Sequence, residues 1–193
     1  MRLTRRALLG ATILGVPVVL AGCGFVSTST TNGVTTVTVN VANLATVAGG
    51  IAGVAGLLIG VPGVGALLTS AIGATAAAAI PTVIADINGA VASLTASAGA
   101  QQTLTFTSTS VPAFASAILT DAQTLVKDAT SLMTGAGLGA SAAEITQYAQ
   151  GVQTLGNAII AQLSALLPQS SAASAVMPPT QAEIDAALAL LKT

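Results

Sequence analysis

From Val41 to Ala85 the chain carries no charged side chain, and this run constrains the fold more than any other feature. A segment without a charged face has to bury much of its surface, either in protein or in lipid. It is interrupted at Gly60-Val61-Pro62-Gly63-Val64-Gly65, where proline and three glycines break a helix. On either side lie two apolar helical candidates, about Ala42–Ile59 and about Val64–Ala79. Gly49, Gly53, Gly56 and Gly60 recur at helical spacing and include two G-x-x-x-G pairs. Glycine at that spacing lets two helix backbones approach closely, a device of membrane helices. At ~1.5 Å per residue the first candidate reaches ~27 Å, marginal for a hydrocarbon core of about 30 Å. Two arrangements fit: a hairpin dipping into a bilayer, and a hairpin buried inside a soluble bundle. Asn43, Thr46, Thr69, Ser70 and Thr75 are polar but uncharged and suit both.

Composition supports the same pair of outcomes. Charged residues make up 6% of the chain, against about 25% in an average soluble domain. Aromatics are 2%, and there is no His and no Trp. A core made of Ala, Gly, Val and Leu packs closely but buries little area per residue. Beyond the N-terminal arginines, Lys127 and Lys192 face six carboxylates, a formal charge of −4. Nothing basic remains to grip nucleic acid, so that partner is not expected.

The N-terminus carries a separate signal. Arg2, Arg5 and Arg6, the only arginines, precede an uncharged run from Ala7 to Leu20 that is too short to span a bilayer. Leu20-Ala21-Gly22-Cys23 follows, and Cys23 is the single cysteine. This order resembles a bacterial lipoprotein signal peptide. The resemblance implies cleavage before Cys23, acylation of its thiol (a palmitate-type anchor) and attachment to membrane lipid. Thr4-Arg5-Arg6-Ala7-Leu8-Leu9 resembles the twin-arginine export motif, with Gly10 where many members carry Lys. That implies folding before export, with Arg5 and Arg6 as the deciding residues. Gly24, where some bacteria use Asp to retain lipoproteins at the inner membrane, leans towards the outer membrane. Ala48–Ala74 also resembles glycine-zipper surface lipoproteins, although those repeat paired glycines more regularly. That likeness concerns architecture and assigns no functional residue.

The whole chain is expected to be mainly α: small-residue-rich helical hairpins or a bundle, with short extended Thr-rich segments. Residues 1–22 form the signal peptide. Residues 23–40 read as a lipidated N-terminus on a Thr/Ser-rich tether, with a short hairpin turning at Asn32-Gly33 or a single edge strand as the competitor. Residues 41–100 form the Gly/Ala-rich helical hairpin, free of charge up to Ala85, with a further helix over Pro81–Ser97. Residues 101–111 alternate through Thr103, Leu104, Thr105, Phe106 and Thr107, a strand or an extended linker.

Residues 112–167 read as an amphipathic hairpin. Pro112 opens its first helix, which runs to about Met133 with Phe114, Ile118, Leu125 and Leu132 on or near one face. Ser141 and Glu144 form a capping box for the second. Ile145, Tyr148, Val152, Leu155, Ile159, Leu163 and Leu166 then give it an apolar stripe. Pro168 stops it. Residues 168–193 hold a Ser/Ala/Pro linker and a last helix capped by Thr180, with Glu183 and Asp185 in its first turn.

Chemistry is bounded by what is missing. Zinc and iron sites need His or Cys clusters, and a serine nucleophile needs a base that only Lys127 or Lys192 offers. The glycines lack the Lys-Ser/Thr ending of a phosphate loop. A cofactor, a metal and an enzymatic activity are therefore not expected. Three roles remain: a non-catalytic envelope lipoprotein with a helical body for assembly with itself or another envelope protein, periplasm-facing; a membrane-active hairpin that oligomerises through Gly49, Gly53, Gly56 and Gly60; and a carrier of apolar ligands or lipid.

Overall fold

The computed structural model describes residues 24–31, 34–99, 103–107, 112–134, 142–164 and 177–192. The protein is mainly α. Its elements are β1 (Val26–Thr31), β2 (Val34–Asn40), α1 (Val41–Gly60), α2 (Val64–Ile72), α3 (Ala74–Ala98), β3 (Thr103–Thr107), α4 (Ala113–Thr134), α5 (Ala142–Leu163) and α6 (Gln181–Ala189). A short 3-10 turn, Leu190–Lys192, follows α6. Residues 1–22, expected to form a signal peptide, and Cys23, Asn32-Gly33, Ser141 and Leu166 lie outside the described residues.

The tether expected over residues 23–40 is instead a strand pair from Val26 onward. β1 and β2 run antiparallel with Val26 opposite Val39, and β3 adds on the other side of β2 with Val37 opposite Phe106. The reason lies in the period of two: Val37 and Val39 are buried at 1% exposure, while Thr36 and Thr38 between them are only half-buried. A run with one apolar face gains more by pairing and covering the helices than by remaining solvated. β3 likewise makes residues 103–107 a strand and not a linker.

α1 starts without a loop. Asn40 is both the last residue of β2 and the helix N-cap, its Oδ1 accepting the Asn43 N–H at 3.0 Å. The charge-free region then departs from the expected two-helix hairpin and forms α1, α2 and the first turns of α3. Gly63 takes φ +87° in the turn before α2, as the Pro-Gly break suggests. The second break falls at Gly73, also at φ +88°, which ends α2 seven residues earlier than expected and starts α3. α3 then continues through Pro81. Its ring sits among exposed Ala78, Ala79 and Thr82, so the steric cost of an internal proline is met outside the core.

α1 is the central helix. It packs against α5 and α3, while α4 packs on α5 and α3, and α6 closes over α5 and α1. Leu44, Ile51 and Val54 of α1 are fully buried with Leu155 and Ile159 of α5. α1 and α3 are each long and apolar enough to cross a membrane by length and composition. Half of α1's most apolar stretch (50%) is buried within the protein, against 17% for α3. α3 touches the core through Ile80, Ile87 and Leu94, spaced by seven, with Ala98 completing the seam.

Candidate functional site

Two features of the body bear on function: the seating of the chain just after Cys23, and a groove on α3.

Phe25 is buried at 1% exposure, while Gly24 before it is exposed. The N–H groups of Phe25 and Val26 both donate to Oε1 of Gln162, at 2.9 and 3.2 Å. The Phe25 carbonyl accepts the Asn40 N–H at 2.7 Å. Gln162 sits at 3% exposure in the last turn of α5, a polar group inside an otherwise apolar face. Its position three residues after Ile159, on the stripe that buries Leu155 and Leu163, is a signal present in the sequence that the apolar pattern alone passes over.

The groove lies between α3, β3 and α4 and has a volume of about 1040 Å³, at the upper end of ordinary small-molecule sites. Phe106 and Leu104 of β3 and Phe114 of α4 supply its apolar surface. Along α3 the lining runs from Ala85 to Ser97, about 18 Å of helix. Asp86 and Asp121 line it where α3 enters and α4 leaves, close enough to interact electrostatically. Burial raises the Asp121 carboxyl above its ordinary 3.8, and the Asp86 charge pushes it the same way. The groove therefore has an acidic end and an apolar end. A smaller crevice of about 280 Å³ lies between α5 and α6 and holds Glu183, whose carboxyl is lowered by hydrogen bonds from Thr180.

The four glycines expected to pack helices behave differently from one another. A Cβ at Gly53 would meet Leu191 Cδ2 at 2.6 Å, so this glycine does admit a close neighbour. Gly49, Gly56 and Gly60 would meet nothing within 4 Å, because they lie off the face carrying Leu44, Ile51 and Leu58. Close approach is served by other glycines: Gly50 against Leu188, Gly151 against Leu190 and Val54, and Gly156 against Val126 and Ile51. Cys23, Arg5, Arg6, Leu20, Ala21 and Gly22 lie outside the described residues, so the structure brings none of them to either feature.

Polar satisfaction explains how a chain with so few charges keeps helices at its surface. Thr46, Thr69, Thr95, Thr124 and Thr130 each donate their hydroxyl to the carbonyl four residues back. The hydroxyl donor is spent on the helix itself. No family model, no curated protein and no solved structure matches the chain. Function has to be argued from these residues alone.

Proposed function

We propose that this chain is a non-catalytic lipoprotein of the bacterial cell envelope, held to membrane lipid through acylated Cys23 and presenting a helical body beside the bilayer. The observation that carries the reading is the seating of Phe25. The two peptide units between Cys23 and Phe25 span at most about 7–8 Å. An acyl chain on Cys23 would thus hold the body against the headgroups and not on a long stalk. The lipobox-like run Leu20-Ala21-Gly22-Cys23 supports the attachment, and two or more acyl chains anchor stably. Metabolic acyl labelling of the wild type and Cys23→Ser, followed by membrane fractionation, tests it. Label lost and protein released in Cys23→Ser is the expected result; unlabelled wild type refutes it.

A second reading, that the body takes an apolar ligand, is favoured by the groove lined by Phe106 and Phe114. The membrane-active hairpin is less well supported, since α1 has its apolar face against α5 and α3. Cys23→Ser protein that still sediments with carbonate-washed membranes would restore it.

A further inference from the structure

The groove has a direction. At one end Asp86 and Asp121 stand together; at the other, Phe114 and Leu104 present apolar surface. Neither carboxylate has a hydrogen-bond or ion-pair partner among the described residues. The two remaining cations of the body, Lys127 and Lys192, do not line the groove. Between the ends, Gly89 leaves its side open, with nothing within 4 Å of where a Cβ would stand. Below it, Ile87, Leu94 and Ile118 are fully buried where α3 packs on α4.

We propose that this groove binds an alkyl amphiphile with a cationic head, the head between Asp86 and Asp121 and the alkyl part along Phe106 and Phe114. The proposal rests on the reading of the groove as an apolar-ligand site and adds the chemistry of the occupant. Charge complementarity selects the head: a cation relieves the mutual repulsion of the two carboxylates, an anion adds to it, and an uncharged head leaves it. Length selects the chain, since about 18 Å of groove suits one extended alkyl tail. Ser93 and Ser97 on α3 line the same wall without charge, so nothing along it competes with the acidic end for the head.

The test uses the full chain carrying Cys23→Ser, titrated calorimetrically below micelle formation with dodecyltrimethylammonium, dodecyl maltoside and dodecyl sulfate. The cationic probe is expected to bind at one site about tenfold more tightly than the maltoside, and the sulfate more weakly still. Asp86→Asn with Asp121→Asn should remove the preference and leave maltoside affinity unchanged. Ala117→Trp, or Ser93→Trp on the opposite wall, should abolish binding of the cationic and maltoside probes; both positions are exposed, so the fold tolerates the change. Maltoside binding that tryptophan blocks, with no preference for the cation, overturns the head assignment alone. Binding that neither tryptophan affects, or no binding, overturns the apolar-ligand reading as well.

Discussion

α5 and α3 are drawn from nearly the same small, mostly uncharged residues, yet half of one is enclosed in the body and the other is its most open helix. α5 buries eleven of its 22 residues; α3 buries four of 25. The difference lies in what reaches each helix. Leu190 and Val126 enter the notches at Gly151 and Gly156 of α5, whereas Gly89 of α3 faces empty space. Small residues do not by themselves create a buried surface. They create a shallow one, and burial follows only where a larger side chain from another element fits into it.

The comparison can be broken at both ends. The largest effect is expected at Gln162→Leu, which strands the Phe25 and Val26 N–H groups in the core and costs about 2–4 kcal/mol. Gln162→Glu, which keeps an acceptor, should retain more of the melting temperature than the leucine variant. Next, Gly156→Ala places a methyl against Val126 and Ile51 and should cost about 1–3 kcal/mol by denaturant titration. By contrast Gly56→Ala meets no neighbour and should stabilise by about 0.5–1 kcal/mol, the helix-propensity gain. Destabilisation there would reveal a second copy seated on the α1 glycines and revive their role in oligomerisation.

The smallest effect concerns acid. Burial raises the carboxyls of Asp121 and Asp128 on α4, only partly offset at Asp128 by Lys127. The folded state therefore holds these protons more tightly than the unfolded chain. Their contribution is fully present below about pH 3.8, the ordinary carboxylate value, and is lost as pH rises through the raised folded values. Asp128→Asn should raise the melting temperature slightly at pH 7, with the gain vanishing towards pH 3. A gain that persists at pH 3 would assign the effect to packing instead.

Much of this architecture is legible in the residues. The stripe on α5, the Pro-Gly break after α1 and the Thr180 cap of α6 appear in the structure where local pattern places them, and Glu183 completes that cap as a capping box, beyond the favourable first-turn charge that its position suggests. Local pattern fails where the outcome depends on a distant partner. Gly73 has no neighbouring turn residue to mark it, so the α2–α3 boundary reads as continuous helix. The paired strands read as a tether because threonine suits both water and a sheet, and only Leu104 and Phe106, far along the chain, decide for the sheet. The groove was the least legible. Asp86 and Asp121 each look like a solvated face until α3 and α4 are packed side by side, and Gly49, Gly56 and Gly60 look like contacts until the buried face of α1 is known.

The hydrogen bonds from Phe25 and Val26 to Gln162 also impose an order of events. Their donors and acceptor are separated by 137 and 136 residues. At a synthesis rate of roughly 5–20 residues per second, the acceptor is made about 7–27 s after the donors. For that interval the start of β1 lacks the acceptor that seats it in the body. The last turn of α5 thus sets the earliest moment at which the start of β1 can dock.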